Sequence, residues 1–136
     1  MKLLVFSLSL LLFLSCGDSK SEESSIDMDG PDVEINVLDF SNESTTVKFE
    51  LINRLDEAIN NIRGTVYFYD ADGNELTHAT GRSKSSPFSK AQNPKIVDSK
   101  AKTEIELKNS IPEGAHDAKI KEVKVKTTSG KEVVVD

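Results

Sequence analysis

Tryptophan is absent from this 136-residue chain, cysteine occurs once and histidine twice. Aromatic residues make up only 6% of the composition, so a stacking platform for sugars or bases is poorly supplied. The single cysteine, Cys16, excludes an internal disulfide in any redox compartment. His78 and His116 are far apart and have no Cys or His companions. Zinc needs three or four ligands at characteristic spacing, so no metal is expected, and no cofactor. No glycine-rich phosphate loop opens a helix, and no serine stands in a G-x-S-x-G turn. Acidic neighbours such as Asp56 and Glu57 fall in a polar stretch where both are solvated. No catalytic residue is assigned, and the chain is not expected to be an enzyme. A long apolar run is missing too. The longest, Leu3–Leu14, is interrupted by Ser7 and Ser9 and is too short for the roughly 20 residues that cross a bilayer.

The charge is one-sided. Lys and Arg number 17 against 23 Asp and Glu, a net −6. An acidic chain of this kind is repelled by a phosphate backbone, so no nucleic-acid partner is expected. The first sixteen residues carry an address. Lys2, the apolar run and the small Ser15 before Cys16 have the layout of an export signal. Phe13-Leu14-Ser15-Cys16 resembles the lipobox of bacterial lipoproteins, with Phe13 where Leu is usual. The resemblance implies cleavage after Ser15, a diacylglyceryl thioether on Cys16 and acylation of the new amino terminus. Two or three acyl chains anchor stably where one does not. Gly17 stands where enteric lipoproteins kept at the inner membrane carry Asp, so an outer-membrane location is expected. Lys20-Ser21-Glu22-Glu23 resembles the export signals of Bacteroidetes surface lipoproteins, which implies exposure at the cell surface.

Three segments follow from this reading: a signal peptide over 1–15, the lipidated Cys16 with a tether to residue 31, and a domain over 32–136. The tether is rich in Ser, Asp and Glu, with Ile26 and Met28 its only apolar members after the cysteine, and is expected to be flexible. It spans ~20 Å as a coil, which keeps the domain near the membrane.

From Pro31 onward the pattern alternates. Val33, Ile35 and Val37 predict one strand; Val47, Phe49 and Leu51 predict a second. LDEAINN, over 55–61, is expected to be a loop that sends Ile59 to the core. Ile62–Tyr69 is the strongest strand, with Ile62, Gly64, Val66 and Phe68 on one face, and its internal Gly64 marks a bulge or a close approach. Asp70-Ala71-Asp72-Gly73-Asn74 is expected to turn a hairpin into a return strand, Glu75–Thr80. It is not read as an EF-hand loop, which needs Gly at its sixth position rather than its fourth. Gly81–Ala101, with Pro87 and Pro94, reads as a long loop. Further strands are expected at Lys102–Leu107, Ala118–Thr127 and Lys131–Val135. A parity fault between Ile120 and Val123 predicts a bulge near Lys121-Glu122.

About seven short strands and no long helix predict an all-β, immunoglobulin-like β-sandwich. Glu50–Leu76, with Asn53, Ile59, Ile62 and Val66-Tyr67-Phe68-Tyr69-Asp70 before Asp72-Gly73, resembles the FxLYD-type domain of bacterial envelope proteins. Tyr67 stands where that motif prefers an aliphatic residue. The resemblance implies a small β-sandwich and no catalytic residues.

One segment concentrates basic charge. Gly81–Lys102 carries Arg82, Lys84, Lys90, Lys95, Lys100 and Lys102 against the single acid Asp98, a net +5. Such segregation focuses anions. Arg82, Lys84, Phe88, Lys90 and Lys95 are the candidate residues for an anion or a partner, although a solvated loop with Phe88 in the core accounts for the same pattern. The expected role is a lipid-anchored envelope module that binds a protein partner without catalysis. The alternative is binding of an anionic glycan, a headgroup or a metal through residues 81–102.

Overall fold

The computed structural model describes residues 26–136. The signal segment, Cys16 and the tether up to residue 25 lie outside the described residues. Seven strands form two antiparallel sheets, and no helix occurs among the described residues. The strands are β1 (Val33–Ser41), β2 (Thr46–Asn53), β3 (Ile59–Tyr69), β4 (Ser86–Ala91), β5 (Ala101–Lys108), β6 (Asp117–Thr127) and β7 (Glu132–Val135). One sheet has the order β1-β2-β5 and the other β4-β3-β6-β7. The chain changes sheet after β2, after β4 and after β5. This is the two-layer, seven-strand sandwich that the alternation predicts.

The alternating residues meet between the layers. Val47, Phe49 and Leu51 from β2 are fully buried, as are Ile59, Ile62 and Val66 from β3. Phe68, Ile105, Val123 and Val125 close the core. Each such side chain contributes about 1.5–3 kcal/mol on burial. The loop over 54–58 delivers Ile59 to this layer, and its carbonyl and amide bond to Ile96 and Val97.

Gly64 and the parity fault in β6 turn out to be one feature. Arg63 pairs with Lys124 and Thr65 with Lys121, so Glu122 and Val123 together oppose Gly64. Glu122 has φ +56°, the conformation that lets the extra residue bulge. A Cβ on Gly64 would lie 3.1 Å from both Phe88 and Val123, so the glycine makes room for the packed side chains.

Two expectations are corrected. Glu75–Thr80 is not a strand: after a single bridge between Tyr69 and Glu75, the chain folds into a small hairpin in which Thr77 bridges Ser83. The fourth strand is instead Ser86–Ala91, inside the expected long loop. β4 is an edge strand with one face on the core, so Phe88 is its only large apolar residue, and edge position tolerates the missing N–H of Pro87. Its ring lies 5.7 Å from that of Phe49.

Asn53 is fully buried at the end of β2. Its Nδ2 donates to the carbonyls of Glu57 (2.9 Å) and Asp98 (2.8 Å), and its Oδ1 accepts the N–H of Leu55 (3.1 Å). Asn53→Ala leaves these groups buried without partners and is expected to cost about 2–4 kcal/mol. Urea unfolding of the wild type and the variant measures this loss.

Candidate functional site

The basic segment does not form one patch. Arg82 and Lys84 lie on the hairpin that follows β3. Its turn is closed by His78 N–H to Arg82 O (2.8 Å) and Gly81 N–H to His78 O (2.8 Å), with Gly81 at φ +80°. Leu76 holds the hairpin to the sheet, donating to Phe68 O (2.8 Å) and accepting from Lys84 N–H (2.9 Å). Lys90 lies six residues beyond Lys84, near the far end of β4, about 20 Å of extended chain away. It shares the Phe88 side of the strand and is half-buried. Lys95 lies beyond β4 and contacts Asp98. Lys100 pairs with Asp56 at 3.0 Å, and Lys102 with Glu50 at 2.8 Å.

Of the five candidate residues, the fold therefore brings Arg82 and Lys84 together and separates Lys90 and Lys95 from them. Phe88 belongs to the core contact with Phe49. Arg82 and Lys84 make no ion pair among the described residues. A cleft of about 690 Å³ is lined by His78, Arg82, Ser83, Ser85 and Pro87. A neighbouring depression is lined by His78, Lys84, Ser85, Ser110, Pro112 and Glu113. The Ser83 hydroxyl is buried without a hydrogen-bond partner. Arg82 lines the cleft with an imidazole and hydroxyls, a set suited to holding an anion, whereas Lys84 lines the neighbouring depression together with the acid Glu113. No group of three His, Cys, Asp or Glu able to hold a metal occurs among the described residues. Asp70 uses its carboxylate internally, accepting the N–H groups of Asp72 and Asn74, both at 2.9 Å. These backbone bonds, Asn74 first, hold its pKa below the usual Asp value.

Arg54 was not among the sequence candidates, yet it organises the point where the tether joins the domain. Its side chain is 7% exposed. Nε donates to Asp27 O (2.7 Å); Nη1 donates to Pro31 O (2.9 Å) and to Glu34 Oε2 (2.8 Å). Residues 27–31, expected to belong to the flexible tether, are thus held against the sandwich. A Cβ on Gly30, at φ +144°, would fall 2.9 Å from the guanidinium carbon, so glycine is required for the close approach. In sequence, Arg54 reads only as a polar residue closing a strand; no local pattern pairs it with a segment over twenty residues upstream.

The side chains of Asn36 and then Arg54 lower the pKa of Glu34. A depressed carboxylate stabilises the fold above its unfolded pKa, and that stability is lost as pH falls through the lower, folded value. Acidification below about pH 4.3 is therefore expected to loosen residues 27–34. Glu34→Gln should flatten this part of the melting-temperature profile, and Arg54→Ala should speed proteolysis at residues 27–32 at neutral pH.

No protein-family model matches the chain, and neither the curated proteins nor the solved structures contain a match to it.

Proposed function

We propose that the protein is an envelope lipoprotein, anchored at the outer membrane through acyl chains on Cys16, whose β-sandwich is a non-enzymatic interaction module. The lipobox-like Phe13-Leu14-Ser15-Cys16 after an apolar run is the observation that carries the anchor. The Arg54 latch supports it: the chain arriving from that side is fastened where it enters the domain. The FxLYD-type resemblance fits the same class of protein. Its partner is another envelope component, and exposure at the cell surface follows from the acidic tether after Lys20.

Mass spectrometry of the purified protein should find a mature chain beginning at a lipid-modified Cys16. Cys16→Ser should move it from the membrane to the soluble fraction. An unmodified, water-soluble chain retaining its first fifteen residues would exclude the anchor. Capture from detergent-solubilised envelopes tests the module: a specific protein partner supports it, and its absence counts against it.

A second reading rests on the corner formed by His78, Arg82, Ser83 and Lys84, where neither cation makes an ion pair, the Ser83 hydroxyl is buried without a partner, and Glu113 is the acid that lines the Lys84 side. It is an anion site for a glycan or a headgroup. Arg82→Ala with Lys84→Ala should weaken retention on an anionic glycan matrix at low salt about tenfold. Retention unchanged by this pair would remove the reading.

A further inference from the structure

Each sheet of an open sandwich leaves two edges with unpaired backbone groups, and natural proteins blunt such edges. Three of the four edges here are blunted. β1 carries a bulge between Val37 and Asp39 that leaves Leu38 half exposed. β4 carries Pro87 and turns Lys90 to its inward side. β7 has four residues. β5 has no bulge, no proline and no inward charge, and only the charged residues of its solvent face guard it. It runs for eight residues with no proline, and its register with β2 is unbroken from Thr46↔Lys108 to Asn53↔Ala101. Its inward residues, Ala101, Thr103, Ile105 and Leu107, carry no charge. None of the backbone hydrogen bonds outside the strand ladders involves Ala101–Lys108.

We infer that β5 is an interface for a second copy of this chain, pairing antiparallel with its own counterpart about Thr103. The charges select both the occupant and the register. The solvent face of β5 reads Lys102, Glu104, Glu106, Lys108. A two-fold axis at Ile105 would set Lys102 against Lys108 and Glu104 against Glu106, like charge on like, and an axis at Glu104 would face Lys102 with Glu106 but set Glu104 against itself at the centre. An axis at Thr103 sets Lys102 of each copy opposite Glu104 of the other. Within one copy Lys102 already bonds Glu50 and Glu104 lies 3.7 Å from Lys48. Both of these ion pairs are diagonal: directly across β2, Lys102 faces Ile52 and Glu104 faces Glu50, so pairing with the second copy gives Glu104 a directly facing cation. Opposite charges facing across a strand pair are favourable and like charges are not. Ala101 faces Ile105 on the inner side, a small residue against a large one.

The interface also closes. The joined sheet has the order β1-β2-β5-β5-β2-β1, and both of its outer edges are the bulged β1. An isologous two-fold contact with blunted outer edges ends at a dimer rather than growing into a fibre. About Thr103 only Ala101–Ile105 of each strand pair, which buries less than a standard protein interface, so the dimer is a concentration-dependent one. The inference rests on the reading of the domain as an interaction module and adds to its envelope partner a second copy of the chain.

The test uses the full chain in a density-matched detergent, followed by sedimentation equilibrium. The wild type should show reversible dimerisation. Glu104→Lys places Lys opposite Lys and should raise the dimer dissociation constant about tenfold or more. Lys102→Glu places Glu opposite Glu and should do the same. Mixing the two variants should restore the dimer, because each supplies the charge that the other lacks. Restoration also shows that neither variant merely failed to fold. A chain that stays monomeric at all concentrations overturns the inference, as does a dimer indifferent to Glu104→Lys or a mixture that does not reassociate. So does an edge that captures a different envelope protein while the chain itself stays monomeric. Failure of the broader module reading shows separately, as an envelope capture that retrieves no partner.

Discussion

Asn53 is where the two layers of the sandwich are made to agree. The chain leaves β2 there and must cross to the other sheet to begin β3, and the segment before β5 must return past the same point. A buried backbone turn exposes carbonyls and amides that water cannot reach, and each costs free energy if left unpaired. One side-chain amide supplies two donors and one acceptor and answers three of these groups, from residues 55, 57 and 98. The burial of Ile59 and Val97 depends on that geometry, because both lie just beyond the segments that Asn53 holds. Hydrophobic burial drives the layers together; the amide decides where the chain may pass between them.

The bulge opposite Gly64 is the second constraint. Without it, Ile120 and Val123 could not both face the core, because a strand alternates strictly. Glu122 absorbs the extra residue at positive φ, and the missing Cβ of Gly64 leaves space for Phe88 and Val123. Phe88 in turn brings the edge strand β4 onto Phe49 of the other sheet. A glycine, a strained glutamate and one phenylalanine together fix how β3, β4 and β6 sit on the core.

These particulars explain what could be read in advance. Val47, Phe49, Leu51, Ile62, Val66 and Phe68 alternate so cleanly that their strands and faces follow from period alone, and the parity fault in β6 announces its own bulge. β4 was illegible because an edge strand with one contact face needs a single apolar anchor, and its proline and serines imitate a loop. Glu75–Thr80 misled for the opposite reason: Leu76 supplies one inward residue, but Gly81 and the bond between His78 and Arg82 turn the chain before a ladder can grow. The charges of 81–102 were legible as a count and illegible as a site. Lys95, Lys100 and Lys102 each find an acid, Asp98 from within the segment and Asp56 and Glu50 from outside it. Lys90 guards an edge. What is left of a net +5 is the pair Arg82 and Lys84, and only the fold shows which members those are.

The placement of these parts along the sandwich orders the proposed roles. Asn53, Arg54 and the arriving chain lie at one end of the strands; Tyr69, the start of β6 and the hairpin of His78, Arg82 and Lys84 lie at the other. The eleven residues of β3 separate the ends by about 35 Å. In the proposed lipoprotein the tether enters the domain at the Arg54 end, and the basic hairpin lies at the opposite end. The edge of β5 runs along the flank, and the stretch around Thr103 lies at the Arg54 end, because Ala101 pairs with Asn53. Antiparallel pairing about Thr103 would bring the two tether ends together at the centre of the dimer and point the two cationic corners away from each other, so both corners would stay free. The proposed anchor and the inferred lateral contact thus share one end of the sandwich and the proposed anion site takes the other, so that occupying the site would leave the contact untouched.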